Sequence, residues 1–168
     1  SKLVDQLEKE QRTPSSYIST IGAFSYNLCE SSNEDDFDRL FSLNTKTHWL
    51  AARNLLPLMK KEKFGNLIFI SSLPTLAGGQ AGLSLYLASK AALNMFIKCL
   101  AKEVASDNIN VNAILPGTID TEQNRSAMGE LNAHLWIKPA VICESIIKMI
   151  GPETINVNGA LITIPDHM

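Results

Sequence analysis

Short β-rich runs alternate with long helical patterns along this chain, and that alternation restricts it to an α/β architecture. Tyr17 to Ile21 ends at Gly22, Asn66 to Ser71 reads as a second buried strand, and Ile109 to Ile114 ends at Pro116-Gly117. Ala160 to Ile164 is a fourth. Between them lie two stretches of helical pattern. The first opens on Ser32-Asn33-Glu34-Asp35-Asp36, polar and acidic residues that suit a helix N-terminus by capping and by the dipole. It carries Phe37, Leu40, Phe41, Trp49, Leu50 and Leu55 to about Lys61, with a bend expected at Pro57. The second runs from Ser84 to about Ala105. Crossovers this long connect parallel strands. A helix is also expected from Ser1 to Gln11, with Leu3, Val4 and Leu7 on one side and Thr13-Pro14-Ser15-Ser16 as its stop. Another runs from Pro139 to Ile150, opened by its proline. Leu28 to Glu34 reads as a polar loop. Leu73 to Leu83 reads as a flexible glycine-bearing loop, and Thr118 to His134 as a loop with a short helix.

A chain of 168 residues, 45% apolar and 19% charged, is expected to form a single domain with one proper core. A net charge of −2 gives no basic field for nucleic acid or an anionic membrane. No apolar run approaches the length of a membrane span. The first residues are too charged to read as a signal peptide, so a cytoplasmic protein is expected. Cys29, Cys99 and Cys143 are far apart, odd in number and set among apolar neighbours. They read as reduced, packed thiols rather than as disulfides or metal ligands. His48, His134 and His167 show no ligand spacing, so no metal site is expected.

Chemistry concentrates at Ser71-Ser72 and at Tyr86-Leu87-Ala88-Ser89-Lys90. Tyrosine and lysine four apart share one helix face. A lysine ammonium there is expected to lower a tyrosine pKa from about 10, because a nearby positive charge favours phenolate. A tyrosine so tuned exchanges a proton with a carbonyl or hydroxyl oxygen. Tyr-x-x-x-Lys alone also describes a plain surface pair, and Ser72 alone describes a polar strand end.

Four separated motifs raise the odds. They are Asn44 in Phe-Ser-Leu-Asn-Thr, the run Asn66 to Ser72, the pair Tyr86 and Lys90, and the run from Asn108 to Thr121 that contains Pro116-Gly117-Thr118-Ile119. In order and rough spacing they resemble the short-chain dehydrogenase/reductase family, from about Tyr17 to Ile164. The resemblance implies a Rossmann-like doubly wound parallel sheet. It implies an NAD(P)-dependent oxidoreductase that moves a hydride between nicotinamide and a small carbonyl or alcohol substrate. Tyr86 would be the general acid or base. Ser72, with Ser71 as fallback, would hold the substrate oxygen. Lys90 would lower the Tyr86 pKa and bind the nicotinamide ribose. Asn44 would sit at a helix distortion that holds a relay water. Gly22, Pro116, Gly117, Ile119 and Thr121 would meet the cofactor, the Pro116 to Ile119 loop through backbone groups. Ser72 stands fourteen residues before Tyr86, one more than is usual in the family, and the glycine-bearing loop is expected to absorb the extra residue.

The chain also departs from the pattern. No Gly-x-x-x-Gly-x-Gly or Gly-x-Gly-x-x-Gly occurs in it. Ser19-Thr20-Ile21 replaces the family's Asn-Asn-Ala before Gly22, which loses a strand-tying asparagine and crowds the adenine ribose. The expectation is therefore the C-terminal portion of the fold over 1–168, without its first strands and phosphate-binding loop. Such a chain is either part of a longer enzyme or a non-catalytic relative acting as a subunit or interaction protein. Asp120-Thr121-x-x-Asn124-Arg125-x-x-Met128, with Trp136 and Pro139, is locally similar to the dihydropteridine-reductase-like branch. Arg125 and Trp136 either line a substrate pocket or order their loop. The family resemblance also implies a homodimer or homotetramer through helices 34–61 and 84–105. Phe37, Phe41, Trp49, Met95 and Phe96 are candidate contacts, with core packing as the alternative.

Overall fold

All strands of the sheet run parallel, in the order β1 (Ser16–Ser19), β2 (Gly65–Ile70), β3 (Ile109–Pro116) and β4 (Leu161–Ile164). The computed structural model describes residues 2–10, 12–151 and 157–166, and only the backbone of Leu3. His167 and the Leu3 side chain, both named above, lie outside the described residues. Around the sheet stand α1 (Lys2–Lys9), α2 (Glu34–Phe41), α3 (Thr47–Glu62), α4 (Ser84–Glu103), α5 (Glu122–Met128) and α6 (Pro139–Ile150).

Strand alternation divides the core into two layers. Leu67 and Phe69 of β2 and Val111, Ala113 and Leu115 of β3 point to one face, where Ala52 and Met59 of α3 and Leu93, Ile97 and Leu100 of α4 cover them. Ile68 and Ile114 point to the other, under Ile142, Ile146 and Met149 of α6. Both faces are buried, as the near-continuous apolar runs of β2 and β3 require of a doubly wound sheet. Phe69 is fully buried, so its loss to alanine would cost about 3–5 kcal/mol.

Local chemistry sets the element ends. Asn33 caps α2 by accepting from Asp36 N at 2.9 Å, and Glu34, Asp35 and Asp36 fill the first turn. Residues Ser42–Lys46 then form a π turn before α3. The expected single helix over 34–61 is thus interrupted at Asn44, and α3 continues through Pro57. Lys63 ends α3 in the left-handed region, and Gly65 starts β2 where a Cβ would meet Met59 Sδ at 2.5 Å. Side-chain amides fasten the short β4 region to β3. Asn158 Oδ1 accepts from Val111 N, Asn112 Nδ2 donates to Val157 O, and Asn112 Oδ1 accepts from Ala160 N.

The thiols differ from expectation. Cys29, Cys99 and Cys143 are free but exposed, not packed. At Cys99 and Cys143 an apolar neighbour, Leu100 or Ile142, takes the inward position of the helix, and successive residues diverge by about 100° around the axis. Ile142 is buried while Cys143 faces out. No described helix is long and apolar enough to cross a membrane. Among the described residues no cluster of histidine, cysteine and carboxylate side chains has metal-binding geometry.

Candidate active site

Because the strands are parallel, their carboxyl ends gather at one edge, where open α/β sheets bind ligands. Ser19, Ser71-Ser72, Pro116-Gly117 and the residues after Ile164 all end there. Tyr86 lies in the first turn of α4, half-buried, and the Ser72 side chain faces its hydroxyl closely enough to act on it. The Phe24 ring meets the Tyr86 ring edge-on, with centroids 5.0 Å apart. Alternation past the end of β2 separates the two serines. Ser71 Oγ turns to the Lys90 carbonyl of α4 at 3.5 Å, and Ser72 faces Tyr86. The loop between them carries Gly78, Gly79 and Gly82 at φ of 87°, 96° and 79°, conformations that glycine adopts freely, and it takes up the fourteen-residue spacing.

One turn beyond Tyr86, Lys90 is buried and donates from Nζ to the Ile70 carbonyl at 2.9 Å. Burial lowers its pKa to about 8. The tuning expected from Tyr-x-x-x-Lys is not what the geometry gives. Burial raises the Tyr86 pKa, and the facing Ser72 hydroxyl opposes that rise. The Lys90 ammonium is turned onto the end of β2, and it does not hold the Tyr86 hydroxyl below its ordinary value.

Asn44 occupies the π turn, fully buried. Its Oδ1 accepts from Ala23 N at 2.8 Å, and its Nδ2 donates to Ala23 O and to Ser89 Oγ, each at 2.9 Å. Ser89 in turn donates to the Tyr86 carbonyl at 2.7 Å. Thr45 Oγ1 donates to Ser89 O, which fastens the same turn to α4. The wider turn lets the adjacent Asn44 and Thr45 both reach α4, and such turns are frequent at functional sites. Gly22 packs against this group: a Cβ there would lie 3.0 Å from Asn44 Oδ1 and 3.2 Å from Lys90 Nζ.

The structure therefore brings Gly22, Asn44, Ser72, Tyr86 and Lys90 together. Pro116, Gly117, Ile119 and Thr121 line the carboxyl end of the neighbouring strand. Thr118 N donates to Asp166 Oδ1 at 2.8 Å, and Gly117 is so close that a Cβ would meet that oxygen at 2.6 Å. Ile119 pairs with Ile137, and its carbonyl accepts from Asn124 Nδ2. Thr121 caps α5 by accepting from Asn124 N at 3.2 Å. Arg125 grips Asp120 with two bonds of 2.7 and 2.9 Å, holding that carboxyl below the usual range. Trp136 is buried. Loop ordering is the role these contacts display for Arg125 and Trp136.

Sequence reasoning missed Ser89, His48 and Asp166. His48 stands one turn after Asn44, fully buried, with its ring edge-on to Phe69 at 5.2 Å. Burial and the Lys90 charge bring its pKa down to about 4, while the Ile21 backbone pulls the other way. The signals were weak: a serine beside a lysine, a histidine at i+4 from an asparagine, and an aspartate near the end of the chain.

This geometry sits on a chain whose residues 18–131 match the profile of the short chain dehydrogenases. The chain belongs to the short-chain dehydrogenase/reductase family. It is 24% identical to cyclopentanol dehydrogenase of Comamonas testosteroni, over 96% of this chain and 68% of that protein. It is 33% identical to the 3-oxoacyl-(acyl-carrier-protein) reductase FabG of Chlamydia pneumoniae, over 72% of this chain and 48% of that protein. The chain thus spans about half to two thirds of the length of these relatives. Among solved structures, 4-hydroxyisoleucine dehydrogenase complexed with NADH superposes with a TM-score of 0.85 at 26% identity, over 99% of this chain and 74% of that one. ElxO with NADP bound gives 0.86 at 22% identity, over 98% and 71%.

Proposed function

We propose that this chain carries the proton-transfer half of an NAD(P)-dependent oxidoreductase acting on a small carbonyl or alcohol. The observation that carries this reading is Ser72 facing the Tyr86 hydroxyl, set beside buried Lys90 and Asn44 at the carboxyl edge of a parallel sheet. Relatives with NADH or NADP bound support the cofactor class.

The residues fit the nicotinamide end of such a cofactor. Lys90 is a buried cation with three N–H donors, and its hydrogen bond to Ile70 O occupies one of them. Gly22, with no side chain, leaves its ammonium approachable. These donors suit the hydroxyls of a ribose, and Gly117 and Ile119 would flank the nicotinamide. Residues suited to a pyrophosphate are not evident in this stretch, which has no glycine-rich fingerprint. When bound, the dinucleotide would supply or accept the hydride.

Proton transfer falls to the chain itself. Ser72 Oγ orients the substrate oxygen toward Tyr86 Oη. Tyr86 gives its proton to that oxygen in reduction and removes one in oxidation. Its raised pKa keeps the hydroxyl protonated before reduction. Lys90, one turn along α4 from Tyr86, would offset the phenolate charge when its ammonium turns toward the hydroxyl. Asn44 fixes the Gly22–Ala23 turn and, through Ser89, the start of α4.

Oligomerisation through the long helices is part of the same proposal. Phe37, Trp49 and Met95 are 46%, 42% and 60% exposed, and Phe37 stacks on Phe41 at 4.4 Å. A monomer by light scattering at micromolar concentration would contradict it. Cytoplasmic residence is likewise a proposal.

Calorimetric titration with NADH and with NADPH tests the cofactor reading. Saturable binding of either one, followed by turnover in a carbonyl screen that Tyr86→Phe abolishes, is the expected result. Binding of neither would favour the subunit or interaction-protein alternative.

A further inference from the structure

Beneath the site, three buried polar atoms lack partners: Ser19 Oγ, His48 Nδ1 and His48 Nε2. Both residues are more than nine-tenths buried, at 2% and 0% exposure. They occupy one place. Ser19 is the register partner of Phe69 across the β1–β2 ladder, so their side chains lie on the same sheet face. The His48 ring packs edge-on against that same Phe69 from α3. Lys90 is close enough for its charge to act on the imidazole, and one ring nitrogen faces the Ile21 backbone carbonyl, which opposes that effect without reaching hydrogen-bond geometry.

A neutral imidazole has one N–H donor and one acceptor nitrogen, and a hydroxyl has both functions. Leaving such groups bare inside a protein is costly, and native interiors rarely do so. An apolar filler would serve better if packing were the only task of this position. Buried water commonly satisfies such groups when two to four polar partners converge.

We propose that Ser19 Oγ and the His48 imidazole together hold one buried water beneath Lys90, tying the carboxyl end of β1 to α3. The water needs a donor and an acceptor around it, and the imidazole and hydroxyl provide both. The neutral ring adds no second positive charge beside Lys90. The bridge fixes β1 just before the Gly22–Ala23 turn, which Asn44 grips from the other side. His48 is thereby a positioning residue for that turn, and it touches no reacting atom.

Two readouts on the whole chain test this without cofactor or substrate, so the result stands apart from the proposed activity. The first is the imidazole N–H resonance of His48 in the ¹⁵N-labelled protein, with cross-relaxation to water. The second is the Tm of Ser19→Ala, alone and in a His48→Leu background. Expected are a protected N–H with a cross-peak of the sign a long-lived water gives, and a Tm lowered by about 2–4 °C in Ser19→Ala. That loss should shrink to within about 1 °C once His48 is leucine, because the pair shares one bridge. An unchanged or higher Tm in Ser19→Ala, with no water cross-peak, would overturn the proposal, since removing a bare hydroxyl relieves the structure. If His48→Leu does not fold, the single variant and the resonance decide.

Discussion

Asn44 Nδ2 lies 2.9 Å from Ser89 Oγ, a bond between two fully buried side chains 45 residues apart in the chain. Through it the π turn after α2 holds the first turn of α4, since Ser89 passes the link to the Tyr86 carbonyl. Asn44→Ala removes this bond and both bonds to Ala23. At roughly 1 kcal/mol net for each, the variant should lose about 2–3 kcal/mol. Urea unfolding measures this as a lower midpoint at unchanged slope. An unchanged midpoint would show that the three bonds contribute nothing net.

Tyr86→Phe separates chemistry from folding. The variant loses only the hydroxyl that Ser72 faces, so stability should fall by about 1 kcal/mol or less. Turnover, in a preparation that shows it, should fall about 10²–10⁴-fold. Cofactor affinity should stay within about threefold, because the ring remains. Equal loss of affinity and turnover would assign Tyr86 to binding instead of proton transfer.

Lys90 predicts an alkaline gain in stability. Its folded pKa is about 8 against an ordinary 10.5, so between those values the unfolded chain binds more protons than the folded one. Stability therefore rises with pH across that window, by at most about 1.4 kcal/mol per pH unit from this group. His48 acts in a separate range, with a folded pKa of about 4 against 6.5. The same sign applies, so its contribution is present above about 6.5 and is lost as pH falls toward 4. Chemical denaturation at a series of pH values should show both slopes. Lys90→Met should flatten the upper one and His48→Leu the lower one, and a slope surviving its variant would belong to another group.

Gly117→Ala should displace Asp166, since the new Cβ would sit 2.6 Å from its Oδ1 and break the bond to Thr118 N. A cost of about 1–3 kcal/mol is expected. Combining it with Asp166→Ala should cost clearly less than the two singles added, because one variant removes what the other strikes. Strict additivity in thermal unfolding would place the clash elsewhere.

Much of this was legible in the sequence because it is local. Strands and helices announced themselves by period and punctuation, and Tyr86 with Lys90 by helical spacing. The distortion at Asn44 was implied only by the family resemblance, since the residue pattern itself read as one unbroken helix. What stayed hidden depends on partners distant in the chain. Ser89 looks like filler between Tyr86 and Lys90 until α4 meets the π turn. His48 takes its meaning from Ser19 and Phe69 on two other elements. The direction of the Tyr86 pKa depends on where Lys90 points, which the end of β2 decides. Cys99 and Cys143 were misjudged because buried Leu100 and Ile142 beside them point the opposite way.

The doublet Ser71-Ser72 has one more consequence. At the end of a strand, adjacent side chains alternate like even and odd digits, so one serine binds the Lys90 carbonyl while the other faces Tyr86. A one-residue slip in register would still leave a serine at one of these two places, while Ile70 or Leu73 took the other. The doublet is thus a partial safeguard, because a slip that would blank a lone strand-end serine keeps one hydroxyl here.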